Sequence, residues 1–333
     1  MPSALVTGAT GLVGSYIVER LLSDGWHVRA LVREESPELA RHGVECVRGD
    51  VTDAESFSRA AANQSHIFHC AAVITQAGDW NVYRRLNVEG TRNAIDAAER
   101  SGARLLQLSS VAVYSARYAD GSKVLDETAR LAPLPERAFY PRSKRESEEL
   151  VMAAHSAGRI WATAVRPCVI YGRRDRQCVP RAARMLRFGV APLVGGGRSI
   201  MPVVHAANVA DGAVLAATTD IAGGRAYNLA NDFPVSVRDF FTLGAQGLER
   251  RIHFIPIPIG VARAAFSLLL RGMRVVAPGR ASLVTNDSLS MITRDNPYDS
   301  SRARRELGWS PRVRPEDGVP DAFRWWREHP LEK

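Results

Sequence analysis

A chain of 333 residues with 46% apolar and 24% charged residues has the make-up of an ordinary globular protein, large enough for one α/β unit and a smaller second lobe. No run reaches the roughly 18 apolar residues of a membrane span, and a strand-like segment opens at the third residue, leaving no room for a signal peptide; a cytoplasmic location is expected. The net charge of +9 is spread over scattered arginines rather than one basic element, which argues against a nucleic-acid partner.

Only three of the 44 basic residues are lysines, Lys123, Lys144 and Lys333, so the place where a lysine occurs carries information. Cys46, Cys70, Cys168 and Cys178 show no Cys-x-x-Cys spacing and read as reduced core or pocket thiols. The eight histidines form no ligand pair at helical spacing, so no metal is expected.

Ser3 to Thr7 is an apolar strand that runs into Gly8, Gly11 and Gly14, followed by a helical pattern in which Leu12, Val13, Tyr16, Ile17, Leu21 and Leu22 recur every three to four residues. Such a turn uses glycine where the backbone takes positive φ and a ligand comes close. A helix starting near Gly11 aims free N–H groups and its positive dipole end at an anion, and a dinucleotide pyrophosphate suits that place. Trp26 to Arg33 reads as a second strand. At its end a Rossmann half meets the adenosine ribose, where an acid accepts from a 2′-hydroxyl and an arginine pairs with a 2′-phosphate. Arg33 stands there, so NADP(H) is favoured and NAD(H) is the alternative, with Glu34 and Glu35 tempering the choice.

Gly43 to Asp50 is a third strand and His66 to Ala72 a buried fourth that ends in small residues. His66 and His69 are assigned no chemistry. Asp79 to Arg100 reads as one long helix containing Asn87, and Leu105 to Ser109 as a core strand. Ser115 to Arg137 lacks periodicity and reads as a long loop over the site. A helix then opens with Tyr140-Pro141-Arg142-Ser143-Lys144, whose Tyr and Lys, four apart, share one face. Strand and helix alternate through Ile160 to Arg166, as a doubly wound parallel sheet requires, and from about Asp175 the pattern becomes helices with short strand-like pieces. Residues 1–172 are therefore assigned to a dinucleotide-binding Rossmann domain, with about 200–225 returning to it, and residues 173–333 mainly to a substrate lobe. Pro258 to Val276 is strongly apolar with Arg263, Arg271 and Arg274 between; a core helix, a lid over an apolar pocket and a helix on a membrane surface are three readings of it.

Thr7-Gly8-x-x-Gly11-x-x-Gly14, Gly49-Asp50-Val51, Asn87-Val88-Glu89-Gly90-Thr91, Ser110, Tyr140-x-x-x-Lys144 and the closing Leu307-Gly308-Trp309 resemble, in order and across nearly the whole chain, the extended branch of the short-chain dehydrogenase/reductase superfamily. The resemblance implies an NAD(P)-dependent enzyme acting on CH–OH/C=O. It implies Tyr140 as general acid/base, Lys144 as the cation that lowers the tyrosine pKa and anchors the ribose, and Ser110 as the donor that orients the carbonyl. It also implies cofactor contacts from Thr7, Gly8, Thr10, Gly11, Leu12, Val13 and Gly14 in the turn, then Arg33, Asp50 and Val51, and Ala71 and Ala72. Ser109, Pro167 and Val169 join them beside Tyr140 and Lys144, with Asn87 close behind. A homodimer is admitted.

Two positions separate the branches of that family. The sugar-nucleotide branch carries an asparagine where this chain has Val169 and a phosphate-pairing arginine where it has Met201. Val111, Val113, Ile170, Met201 and Val203 are expected to make an apolar substrate wall with Val169. The chain thus resembles 3β-hydroxysteroid dehydrogenase-like and ketone-reductase members, interconverting a hydrophobic ketone and its secondary alcohol. A nucleotide-sugar epimerase or dehydratase is the alternative, and a non-catalytic dinucleotide sensor a third reading.

Overall fold

The computed structural model describes residues 1–74, 79–114, 124–230, 233–276, 293 and 295–329, and side chains at 269–276 lie outside that description. The first part of the Ser115 to Arg137 loop, at 115–123, is also outside the described residues.

Seven strands form one parallel sheet: β1 (Ser3–Thr7), β2 (His27–Val32), β3 (Glu45–Arg48), β4 (His66–His69), β5 (Arg104–Leu108), β6 (Ala162–Pro167) and β10 (Ala226–Leu229). Their order is β10-β6-β5-β4-β1-β2-β3. The chain winds outward from β1 through β2 to β3, then crosses back to β4 and winds the other way, so the direction reverses between β1 and β4. Loops at the carboxyl ends of those two strands diverge there and leave a crevice.

Each face of the sheet is apolar because every strand is covered on both sides. On one face α1 (Leu12–Ser23) and α8 (Ala206–Thr218) pack through Val13, Ile17, Leu21, Val209 and Ala213, with Trp309 closing the layer. On the other, α3 (Ala54–Ala61), α5 (Gly90–Ser101) and α6 (Phe139–Ser156) bury Phe57, Ile95 and Val151 against Leu5, Ile67 and Leu105. The helix expected over Asp79 to Arg100 runs without a break from Trp80 to Ser101, with α4 (Trp80–Tyr83) passing through a π-helical stretch Arg84–Glu89 into α5.

The second lobe has its own core. It is built from α7 (Cys178–Leu186), α9 (Val237–Gly247) and α12 (Pro315–Glu328), with two small parallel pairs: β7 (Val169–Tyr171) with β9 (Val203–His205), and β8 (Val190–Val194) with β11 (His253–Ile257). Phe240 and Phe323 meet edge to face at its centre. The strongly apolar segment forms α10 (Ile259–Val276), but the described part is no core helix: Val261 is 58% and Leu268 71% exposed, and only Ala262 and Phe266 turn half inward. A further short helix, α11 (Ser301–Leu307), ends at Gly308 in left-handed conformation before Trp309.

The two faces of β6 are tied to α6 by a buried ion pair. Arg166 Nε donates to both Glu148 oxygens at 3.0 and 3.1 Å, Arg166 Nη1 donates to the Tyr114 hydroxyl at 2.7 Å, and that hydroxyl donates to Asn228 Oδ1 at 2.8 Å. Both charged side chains are 8% exposed. Removing one partner leaves the other charge buried and uncompensated. Arg166→Met is therefore expected to lower unfolding free energy by about 3–5 kcal/mol in urea titrations, and Arg166→Met with Glu148→Leu to recover most of that loss.

Candidate active site

The opening turn is a cradle that only glycine can line. Gly8 has φ of 68°, and a Cβ there would lie 2.9 Å from Ala71 N; a Cβ on Gly14 would lie 2.1 Å from Gly8 O. Gly11 N donates to Gly8 O at 2.9 Å and closes the turn. The α1 N-terminus has no side-chain cap and no acidic residue in its first turn, so its N–H groups and positive dipole end are left for an anion. Thr10 and Gly11 are exposed at the lip, while Leu12 is half-buried and Val13 and Gly14 are buried behind it.

Thr7 is fully buried and serves β4. Its Oγ1 accepts from Cys70 N and Ala71 N at 3.2 Å each and bonds His69 Nδ1 at 2.9 Å, which holds the end of β4 alongside β1. Ala71 and Ala72 follow, half-buried on the crevice side of that junction. At the far edge Arg33 is exposed at the end of β2. Asp50 is half-buried, its Oδ1 accepting from Thr52 N and Thr52 Oγ1 at 2.8 Å each, and Val51 packs against Gly90.

Asn87 sits inside the π-helical stretch and is 2% exposed. Its Oδ1 accepts from Val73 N at 2.8 Å, and its Nδ2 donates to Val73 O at 3.0 Å and to Ser143 Oγ at 2.9 Å. One amide thus fixes the chain leaving β4 and the first turns of α6. Its own carbonyl accepts from Thr91 Oγ1 at 2.7 Å and Ser147 Oγ at 2.9 Å.

Three side chains converge at the end of β5. Ser110 Oγ accepts from Ala112 N at 3.1 Å in the 3-10 turn Val111–Tyr114, which leaves its proton to donate. The same hydroxyl acts on the Tyr140 phenol, whose pKa burial raises and this contact lowers. Lys144 is 3% exposed, with Nζ donating to Leu108 O at 2.7 Å. Burial lowers the Lys144 ammonium to about 8, against the thiol of Cys70 and the carboxylate of Glu148.

The expected lowering of the tyrosine pKa by Lys144 does not appear. Burial pushes the Tyr140 phenol up, the Ser110 hydrogen bond opposes it, and Tyr83 adds to the rise. Desolvation disfavours the phenolate here more than the neighbouring donor favours it. The phenol is thus held as an acid, and the ammonium, tied to Leu108 O, is partly titrated away.

Ser109 Oγ is buried and has no hydrogen-bond partner among the described residues. A glycine cradle, an uncapped helix N-terminus and an orphaned hydroxyl beside Ser110 together fit a bound nicotinamide dinucleotide. The residues that would hold it are those of the turn, Arg33, Asp50, the Ala71–Ala72 step and Lys144, with Pro167 buried and Val169 half-buried on the neighbouring strand.

The apolar wall is placed differently from the sequence expectation. Val111 and Val113 are packed into the main core, and Met201 and Val203 into the core of the second lobe, at 5% and 1% exposure. Ile170 and Val169 are the ones left half-buried. Residues that periodicity missed gather at the start of α6: Tyr83, which acts on the Tyr140 phenol, is buried with its ring 6.1 Å from Phe139, and the Trp80 ring is 6.2 Å from Phe139. The signal was present, since Trp80 and Tyr83 are three apart and Phe139 adjoins Tyr140, but a helical aromatic pair is no different in sequence from a core pair.

A profile of the NAD dependent epimerase/dehydratase family matches residues 4–230. Over 326 residues the chain is 32% identical to the 4-hydroxy-2-methyl-3-oxo-4-farnesyl-3,4-dihydroquinoline-1-oxide ketoreductase of Stigmatella aurantiaca, covering 96% of this chain and 95% of that one. It is 26% identical over 341 residues to the 3-beta-hydroxysteroid dehydrogenase of Mycolicibacterium neoaurum, covering 97% and 91%. Among solved structures, MoeE5 in complex with UDP-glucuronic acid and NAD matches with a TM-score of 0.74 at 23% identity, covering 98% of this chain and 99% of that one, which is a likeness of fold. The chain belongs to the NAD-dependent epimerase/dehydratase family, the extended short-chain dehydrogenases/reductases, and is an NAD(P)-dependent oxidoreductase acting on CH–OH/C=O.

Proposed function

We propose that the protein is an NADP(H)-dependent reductase that interconverts a hydrophobic ketone and its secondary alcohol. The carrying observation is the Ser110 hydroxyl acting on the Tyr140 phenol, with buried Lys144 four residues along the same helix and an uncapped glycine cradle at the start of α1. A bound nicotinamide supplies or accepts the hydride. Tyr140, kept protonated by burial, delivers the proton to the carbonyl oxygen as its charge develops. Ser110 donates a hydrogen bond to the same oxygen and fixes its place. Lys144, anchored on Leu108 O, would hold the ribose of the bound dinucleotide and supply positive charge to the site.

The substrate class follows from what the site lacks. Val169 and Met201 occupy the two places that would bind a nucleotide diphosphate, and Met201 is 5% exposed within the lobe core, so no guanidinium is offered there. Half-buried Val169 and Ile170, with Tyr83 acting on Tyr140 and its ring packed with Trp80 around Phe139 at the start of the same helix, suit an apolar or aryl ketone. The relatives named for a farnesylated quinoline and for a steroid act on lipophilic carbonyl or alcohol compounds by their names, and this supports the same class here.

A screen of NADPH and NADH oxidation against cyclic, aryl and long-chain ketones tests the reading; turnover confined to UDP- or dTDP-sugars overturns it. Tyr140→Phe is expected to bind NADPH with unchanged affinity by fluorescence titration and to lose kcat by about 10²–10⁴-fold, the worth of a positioned proton donor. For reduction, kcat/KM should be level at lower pH and fall above about 8 as Lys144 loses its charge, while Tyr140 stays protonated across that range. Lys144→Met should give a lower profile without that break. Arg33→Asp should weaken 2′,5′-ADP and NADPH binding at least about tenfold and leave NADH binding within about twofold, since a charge-assisted contact to phosphate is lost.

A further inference from the structure

We infer that the face formed by the β8–β11 pair and the start of α10 is a docking surface for an anionic lipid bilayer. The inference does not depend on the reaction proposed above.

The first observation is where the exposed apolar side chains lie. In β8, Ala191 and Leu193 are buried while Val190 and Pro192 face outward, and the parallel register sets Pro192 beside Ile255 of β11, which is 55% exposed. Phe188, just before β8, is 75% exposed. The chain passes from β11 straight into α10, where Val261 and Leu268 are exposed on the side away from half-buried Ala262 and Phe266. Among the described residues, the strand row and the helix side that follows it both present large apolar side chains to solvent. Exposed apolar side chains gathered on successive elements mark a place of association.

Charge decides the partner. Between Glu249 and Asp287 the sequence has no acidic residue and six arginines, Arg250, Arg251, Arg263, Arg271, Arg274 and Arg280. Other arginines lie close to acids and hold them, as Arg159, Arg166, Arg173, Arg174 and Arg312 do. Arg251 and Arg263 are exposed and have no carboxylate partner among the described residues. An apolar face whose own stretch of chain carries only positive charge is complementary to anionic headgroups over an acyl layer. Arginine stems lie along apolar surface while their guanidinium groups reach the headgroups. No helix among the described residues is long and apolar enough to cross a membrane, so this surface lies on the bilayer. For an enzyme of lipophilic ketones, such docking would bring the substrate lobe to the phase in which the ketone is dissolved.

Vesicle flotation with the full chain tests this, using phosphatidylcholine alone and phosphatidylcholine mixed with phosphatidylglycerol. The protein is expected to float with the anionic vesicles only, and to be released by raised salt. Arg251→Glu with Arg263→Glu should reduce the partition coefficient at least about 30-fold, from roughly a fivefold loss for each basic residue near the surface. Phe188→Ser with Leu268→Ser should reduce it by a comparable factor at unchanged melting temperature. Light scattering of the same variants reads the competing occupant. No flotation, flotation indifferent to lipid charge, or binding that survives both variants overturns the inference. Loss of a dimer in either variant, without vesicle binding by the parent, assigns the face to a second copy and overturns it too.

Discussion

The site depends on how α6 is fastened to the end of β5. Lys144 Nζ sits on Leu108 O, the Arg145 guanidinium on Val113 O, and Glu148 on Arg166, whose other nitrogen holds Tyr114. Leu108, Val113 and Tyr114 bracket Ser110 on both sides. Three side chains of the helix, at Lys144, Arg145 and Glu148, therefore hold the turn that carries the serine, directly or through Arg166, so that buried polar contacts rather than a loop place Ser110 against α6. Buried polar contacts of this kind cost much if left half made, which keeps the arrangement in one geometry.

The same burial sets the electrostatics. Tyr140 and Lys144 are both shifted toward their neutral forms, the phenol upward and the ammonium down to about 8. A dry site serves proton donation to an alkoxide because the neutral phenol keeps its proton, and it strengthens every dipole aimed at the oxygen. Cys70, near the same lysine, is pushed up to about 12 by burial, so it is a thiol rather than a competing nucleophile.

Much of this was legible in the sequence. The strand-turn-helix of residues 3–20, the alternation through residue 166, and the Tyr140 and Lys144 positions follow from apolar period, glycine spacing and the scarcity of lysine. Three things were not. The apolar wall was assigned by motif register, and Val113, Met201 and Val203 turned out to be core, because alternation gives the face of a strand but not which lobe covers it. The direction of the tyrosine shift depends on desolvation, which a linear chain does not display. Core and surface could not be told apart for residues 258–276 either, since an apolar helix with arginines reads alike in both settings until its neighbours are known.

The π-helical stretch Arg84–Glu89 places Asn87 where one amide reaches both Val73 and Ser143. Such a stretch is one residue longer than the α-helical turn it replaces, so a helix without it would carry everything downstream out of phase by about 100°. Its length is therefore part of the catalytic geometry. Comparisons among relatives that drop a residue between Trp80 and Gly90 would be comparing helices whose asparagine faces another side, however well the letters align.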